Sequence, residues 1–159
     1  MNITLRQVTQ QDYETYCNLL NEINELHRAA LPRIFQSPSG VIFKRDDFIS
    51  LLSNADLAIF LAEYEGRVAG FVHVLVRETP IYPLLVPRRF AVIDTLVVSA
   101  AFRRSGIGKA LMRKAEEWAV GKGAATIDLN VYEFNQGAQA FYRHLGYTTL
   151  SRKMSKTLK

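Results

Sequence analysis

The sequence has few of the features expected of an exported or membrane-bound protein. It contains one cysteine, Cys17, so no disulfide can form within the chain, which fits a reducing compartment. No apolar run approaches the roughly 18 residues that a membrane-spanning helix needs. Residues 1–4 lack the basic and then apolar pattern of a secretory signal. We therefore expect a cytoplasmic protein with no membrane partner.

Residues suited to metal binding or nucleophilic catalysis are equally scarce. His27, His73 and His144 are isolated from one another, and no spacing typical of metal ligands appears, so we predict no metal site. A nucleophilic role for Cys17 would need a nearby base, and none is visible in the sequence. Packing in the core is the simpler interpretation of this residue.

Length and composition predict one globular domain spanning residues 1–159. The chain has 159 residues, of which 48% are hydrophobic, and no linker, repeat or low-complexity segment divides it. The formal net charge of +5 suits an anionic cofactor. It would also suit nucleic acid, but no basic stripe interleaved with aromatic residues supports that partner.

The most informative stretch joins a buried strand to a helix through a turn rich in glycine and arginine. Residues 90–98 form a nearly unbroken apolar run with one acid, Asp94, which predicts a central strand. The turn reads Arg103-Arg104-Ser105-Gly106-Ile107-Gly108. Apolar residues then recur at helical spacing and predict a helix from Ile107 onward.

This arrangement favours the binding of a phosphate or diphosphate. The first turn of a helix exposes unpaired N–H groups and bears partial positive charge, and two glycines let an anion approach the backbone. Lys109 adds a further cation. A P-loop would need glycine at 103 and Ser or Thr at 110, and a dinucleotide fingerprint would need glycine at 111; Arg103, Ala110 and Leu111 exclude both.

Periodicity and turn residues predict an alternation of strands and helices typical of a mixed α/β sheet. Hairpin signals, such as Glu65-Gly66, lie early in the chain, and strand–helix–strand crossovers lie late. The predicted strands are 2–8, 57–64, 68–76, 90–98, 126–131 and 147–154. The predicted helices are 9–30, 46–52, one from 107 and 136–145.

Two motifs together resemble the GNAT N-acetyltransferase superfamily. The turn at 103–108 resembles its Arg/Gln-x-x-Gly-x-Gly/Ala signature. A later segment resembles its Asn-x-x-Ala-x-x-Phe-Tyr-x-x-x-Gly-Phe/Tyr motif, and the matching residues are Asn135, Ala138, Phe141, Tyr142, Gly146 and Tyr147. The resemblance implies an α/β (α+β) acyl-CoA N-acyltransferase fold, with a mixed six- to seven-stranded sheet and helices on both faces.

The resemblance also implies acetyl-CoA as cosubstrate and assigns its binding residues. The turn would cradle the pyrophosphate, and the pantetheine arm would lie along the central strand. The cofactor-binding residues implied in this way are Leu96, Val97, Val98, Arg103, Arg104, Ser105, Gly106, Ile107, Gly108, Lys109, Asn135, Ala138 and Phe141. Asn135 would either cap the following helix or bond the cofactor.

Two residues are catalytic candidates, Tyr142 from the resemblance and Asp94 as the one ionisable side chain in the central strand. Tyr142 would protonate the departing thiolate, in a transfer without a covalent enzyme intermediate. Asp94 would accept the proton of the amine. Relatives that carry a Glu beside this Asp differ from this chain, which has Ile93 there. Asp94 is equally well interpreted as a structural carboxylate, and Glu133 and His73 are alternative bases.

Acceptor amines in the superfamily meet the first two helices and the loop before the central strand. The corresponding candidates here are Glu22, His27, Phe35 and Tyr82. The acceptor stays open among polyamines, amino acids, antibiotics and peptide N-termini, and a homodimer is compatible with the resemblance. Two other functions stay open as well, a non-catalytic acyl-CoA-binding or sensor module and, less favoured, a basic nucleic-acid-binding domain.

Overall fold

In the computed structural model, which describes residues 2–159, five strands and four α-helices follow one another in the predicted order. In chain order they are β1 Ile3–Gln7, α1 Tyr13–Ala30, α2 Arg45–Leu52, β2 Leu57–Tyr64, β3 Arg67–Glu78, β4 Arg89–Val98, α3 Ile107–Gly121, β5 Thr126–Leu129 and α4 Gln136–His144. None of the helices in this described part has the length and apolar character needed to cross a bilayer.

The strands form one sheet in the order β1-β2-β3-β4-β5. The first four pair antiparallel, and β2 and β3 are joined by the predicted two-residue turn, where Glu65 and Gly66 both have positive φ. β5 pairs parallel with β4, and α3 makes the crossover that a parallel pair requires. The parallel pair therefore places the ends of β4 and β5 at the same edge of the sheet.

A hydrophobic core lies on each face of the sheet. On the face covered by α3 and α4, which we call the α3 face, the core contains Ile107, Leu111 and Met112 from α3. On the face covered by α1 and α2, which we call the α1 face, it contains Tyr16 and Phe48. The predicted placement of helices on both faces is confirmed.

A β-bulge interrupts the central strand β4 at Asp94. His73 of β3 pairs with Thr95 and Val74 pairs with Ile93, so Asp94 is an extra residue with no partner on β3. Before the bulge, odd-numbered residues such as Ile93 face the α3 core, whereas after it even-numbered residues such as Leu96 do. The bulge thus reverses the alternation of side chains.

The predicted strand at 147–154 is wrong, and the sheet has five strands rather than six or seven. Residues 148–159 form no regular structure, and their side chains are exposed. The alternating pattern there is real, but a strand also needs a neighbour to complete its backbone hydrogen bonds. Among the described residues, the outer edge of β5 pairs with no other strand.

Candidate active site

The turn before α3 presents a row of free backbone donors. Within residues 2–159, the N–H groups of residues 104–109 donate to no acceptor, and the first helical bond comes from Ala110 to the Gly106 carbonyl. Positive φ at Arg104 (63°) and Gly106 (84°) curls the chain so that these groups follow one another around the turn. The residues predicted to bind an anion therefore stand at a helix entrance.

The side chains of this turn are held by the protein around it. Arg103 Nε donates to the Val98 carbonyl at 3.2 Å, which ties the turn to the end of β4. The Ser105 hydroxyl donates to the Phe102 carbonyl. Arg104 and Lys109 are exposed and leave their charges free for a ligand. A Cβ on Gly108 would stand 3.2 Å from Phe141 Cζ, so this glycine permits close packing of α3 against α4.

β4 and β5 separate beside this turn and leave a gap between them. Their pairing ends at Ile93 and Leu129, whereas β4 continues to Val98. Within residues 2–159, the edge of β4 that faces the gap has no strand neighbour from Asp94 onward. Leu96 and Val98 pack on the α3 face. The end of this edge lies close to the turn, since a Cβ on Gly108 would stand 3.7 Å from Val98 Cγ2.

Helix α4 brings the second motif to the same gap. Asn135 Oδ1 accepts the Ala138 N–H at 3.0 Å, so this side chain caps α4. Tyr142 packs against the α3-face core, with its ring 5.3 Å from Phe141 and 5.8 Å from Tyr147. Burial raises the pKa of the Tyr142 phenol to about 12, so this hydroxyl keeps its proton at neutral pH.

On the opposite face, Asp94 lies beside a buried histidine. His73 is only 6% exposed, and neither ring nitrogen makes a hydrogen bond to any residue that the structure describes. Its Nδ1 lies 3.5 Å from Asp94 Oδ2, which also accepts the Thr95 hydroxyl at 3.1 Å. Burial lowers the pKa of His73 more than the Asp94 charge raises it, so the imidazole is neutral at pH 7. The bulge therefore places a carboxylate next to a neutral ring.

Four rings from three segments meet on the α1 side of the gap. His27 of α1 stacks on Phe35 at 5.1 Å and lies 5.4 Å from Tyr132 and 5.7 Å from Phe134. Burial lowers the pKa of His27. Sequence analysis selected His27 and Phe35 but not the two rings after β5. The pattern Tyr132-Glu133-Phe134, two rings in a short polar segment, is the signal that could have revealed them.

The other two predicted substrate residues lie outside this aromatic cluster. Glu22 Oε1 accepts the Ala100 N–H at 2.7 Å and lies 3.8 Å from Arg103, so it fastens α1 to the end of β4. Tyr82 is in the exposed loop that precedes the first residue of β4. Tyr132 and Phe134 follow the last residue of β5, and because β4 and β5 are parallel, they lie at the opposite edge of the sheet. Within the described part of the chain, Tyr82 makes none of the ring contacts of the cluster.

Comparison with known proteins identifies a family that covers most of the chain. A model of the Acetyltransferase (GNAT) family matches residues 20–147. An uncharacterised N-acetyltransferase from Bacillus subtilis is 25% identical over 145 residues, which cover 91% of this chain and 89% of that protein. Another, from Methanocaldococcus jannaschii, is 33% identical over 97 residues, and that alignment covers 61% of this chain but 42% of the archaeal protein.

Solved structures resemble the chain over nearly its whole length. A mutant of a Bacillus halodurans protein superposes with a TM-score of 0.92 at 25% identity, covering 98% of this chain and 99% of that one. A putative acetyltransferase from Agrobacterium tumefaciens superposes with a TM-score of 0.76 at 21% identity, covering 97% and 99%, and at that identity the likeness concerns the fold alone.

Proposed function

The chain belongs to the GNAT acetyltransferase family, and on that basis we propose that it transfers an acetyl group directly from acetyl-CoA to a primary amine. The observation that supports this most strongly is the row of N–H groups at 104–109, which have no acceptor within residues 2–159 and lie close to the end of β4 that β5 leaves unpaired. The diphosphate of acetyl-CoA needs N–H donors of this kind. Its pantetheine arm, which carries amide groups, needs a free strand edge beside those donors.

The residues present fit acetyl-CoA along the whole of this path. The amides of 104–109, with Arg104 and Lys109, would hold the diphosphate, and residues 96–98 would bond the pantetheine arm. The gap between β4 and β5 would receive the thioester, which supplies the activated acetyl group. A backbone N–H near Leu96 would polarise its carbonyl oxygen. Asn135 would contribute mainly by fixing the start of α4.

Acetyl transfer then needs two proton movements. The amine nitrogen attacks the carbonyl carbon, the C–N bond forms, the C–S bond breaks, and the sulfur leaves as a thiolate. Tyr142 would give this thiolate its proton and regain one from solvent. Because an alkylamine with a pKa of about 10.4 is mostly protonated at pH 7, a base must also remove a proton from the amine.

Asp94 is the best candidate for this base. It is exposed on the α1 face at the point where β4 and β5 separate, opposite the side on which Tyr142 packs. The two groups would thus approach the thioester from opposite sides of the sheet. The neutral His73 ring lies beside this carboxylate, with Nδ1 3.5 Å from Oδ2.

We expect Asp94→Asn to lower kcat/KM for an accepted amine at pH 7 about ten- to a hundredfold, because the amide cannot accept the proton. Cofactor affinity should stay the same, since Asp94 lies outside the diphosphate cradle. Asp47→Asn, an exposed acid on α2, is the matched control. Steady-state rates of both variants over pH 6–10 measure the effect. If the rate of Asp94→Asn equals that of the wild type, water rather than Asp94 accepts the proton of the amine.

The aromatic cluster is the best candidate for the surface that receives the acceptor. Phe35→Ala and Tyr132→Ala each remove a ring that faces His27, so we expect KM for the amine to rise about tenfold. The dissociation constant of acetyl-CoA, measured by calorimetry in the same variants, should not change. A rise in that constant with an unchanged KM would place the cluster on the cofactor side instead.

The activity itself is tested by following free thiol released from acetyl-CoA with a chromogenic disulfide. The amine panel should include a polyamine, free amino acids, an aminoglycoside and a peptide with a free N-terminus. We expect at least one of them to release thiol above the rate of spontaneous hydrolysis, with the acetylated amine identified by mass spectrometry. Acetyl-CoA binding without turnover on any amine would favour a non-catalytic acyl-CoA-binding module.

A further inference from the structure

The buried histidine of β3 stands where the fold itself needs an apolar residue. His73 lies on the α1 face of the sheet, opposite Ile59 of β2 and two residues after Phe71, both of which belong to the apolar core there. Both of its ring nitrogens are buried, and neither makes a hydrogen bond to a residue within 2–159. Because a buried polar group without a partner destabilises a fold, packing alone does not account for this side chain.

The β-bulge in β4 gives His73 a polar neighbour. His73 Nδ1 lies 3.5 Å from Asp94 Oδ2, and within the described residues Asp94 is the charge that acts on the imidazole. Thr95 is the partner of His73 in the register of the two strands, and the extra residue before it brings the carboxylate to the same face. Bulges often re-aim a side chain beside an active site in this way.

The proton of the neutral imidazole belongs on Nδ1. If this nitrogen of His73 were bare, its lone pair would face an oxygen of the Asp94 carboxylate, and two acceptors would stand together with no proton between them. With the proton on Nδ1, the ring can donate to Oδ2. The separation of 3.5 Å is at the limit for a hydrogen bond, and long contacts in a free enzyme often shorten when substrate binds.

The contacts of the Asp94 carboxylate both involve the same oxygen. Oδ2 accepts the Thr95 hydroxyl at 3.1 Å and faces His73, whereas Oδ1 accepts no hydrogen bond from residues 2–159. The Asp94 side chain is 52% exposed, so without these contacts it would be free to rotate in solvent. The groups that hold Oδ2 therefore decide where Oδ1 points.

We propose that His73 is a positioning residue for acetyl transfer, which donates its Nδ1–H to Asp94 Oδ2 and so turns Oδ1 toward the acceptor amine. This inference rests on the proposed function, in which Asp94 takes the proton of the amine. That proton passes from the amine nitrogen to Oδ1 and then to solvent, whereas His73 keeps its own proton throughout. Because both ring nitrogens are buried, the amine reaches Asp94 but not the imidazole.

Replacement of His73 by leucine, which has a similar volume and no polar atom, separates this role from a structural one. We expect His73→Leu to lower kcat about tenfold with little change in KM for the amine. Its midpoint of thermal unfolding should stay the same or rise, because two buried nitrogens without partners are removed. His73→Asn, whose amide can donate from near the position of Nδ1, should restore kcat to within about threefold of the wild type. His144→Leu, at an exposed position of α4, is the control and should change neither quantity.

A double variant shows whether His73 acts through Asp94. In an Asp94→Asn background, His73→Leu should lower kcat by no more than about twofold, because the base that the imidazole orients is already absent. A histidine with a merely structural role would reduce the rate by the same factor in both backgrounds. Equal factors would overturn the proposal, as would a lower rate that comes with lower thermal stability and does not recover in His73→Asn.

Nitrogen NMR tests the pair without turnover. Ring-nitrogen spectra of the ¹⁵N-labelled chain report which nitrogen carries the proton, and the signals missing from His73→Leu identify His73. We expect the Nδ1–H tautomer in the wild type and a shift toward Nε2–H in Asp94→Ala, which lacks the carboxylate. An Nε2–H tautomer in the wild type would refute the pairing whatever the activity. The Nδ1–H tautomer in a chain that acetylates no amine would support the pairing and overturn the proposed function instead.

Discussion

Replacing Gly106 by aspartate is expected to weaken acetyl-CoA binding at least a hundredfold, which is about 2.7 kcal/mol. Gly106 is the N-cap of α3 and has a φ of 84°, a conformation that costs an aspartate about 1 kcal/mol. The new carboxylate would also stand among the unpaired N–H groups of 104–109 and occupy the place of a phosphate oxygen. Calorimetric titration with acetyl-CoA measures the loss.

Gly66→Asp is the matched control for this substitution. Gly66 also has positive φ, 78°, and a Cβ there would meet nothing within 4 Å, as at Gly106. It lies in the β2–β3 turn and contributes nothing to the proposed cradle. Both variants should therefore lose a similar amount of thermal stability, whereas only the change at Gly106 should alter cofactor affinity. Equal affinities in the two variants would rule out the cradle as the diphosphate site.

Replacing Tyr142 by phenylalanine is expected to lower kcat about a hundred- to a thousandfold while leaving acetyl-CoA affinity unchanged. The ring keeps its contacts with Phe141 and Tyr147, so only the proton donor is removed. Single-turnover rates with a saturating amine, beside calorimetric cofactor binding, separate the two effects. Loss of affinity with an intact rate would mean that the hydroxyl binds the cofactor rather than protonating it.

The raised pKa of Tyr142 adds a pH test to this prediction. With a pKa of about 12, the phenol is at least about 99% protonated up to pH 10, so its ionisation cannot limit the rate over pH 6–10. The pH profile of the phenylalanine variant should therefore run parallel to that of the wild type. Tyr147→Phe, which removes a hydroxyl bonded to Glu116 instead, is the matched control and should keep the wild-type rate.

The turn between β4 and α3 could be predicted from the sequence because its determinants are local. The apolar run, the glycines and the helical stripe all lie within 30 residues of one another, and each residue type has a direct conformational consequence. The start of α4 could be predicted for the same reason, since the Asn135 side chain caps the helix by accepting the N–H of Ala138, three residues later. Both motifs therefore appear where they were expected.

Features that depend on pairing between distant segments could not be predicted. The bulge at Asp94 exists only in the register of β4 against β3, and nothing in the run 90–98 marks the extra residue. The aromatic cluster joins His27 to Tyr132, which are more than 100 residues apart in the chain. The prediction of a strand at 147–154 was wrong for a related reason. Alternation specifies which residues share a face of a strand, but not which neighbouring strand they pair with.

The absence of a side chain at Gly108 lets the two halves of the candidate site lie in close contact. A Cβ added at Gly108 would stand 3.2 Å from Phe141 Cζ, so α3 approaches α4 closely at this point, and Tyr142 is the next residue along. We therefore expect a shift of the turn at the proposed diphosphate site to move Tyr142 as well. Homologous sequences should show this close contact as covariation of the two positions. Where alanine replaces Gly108, we expect a smaller side chain at the position of Phe141.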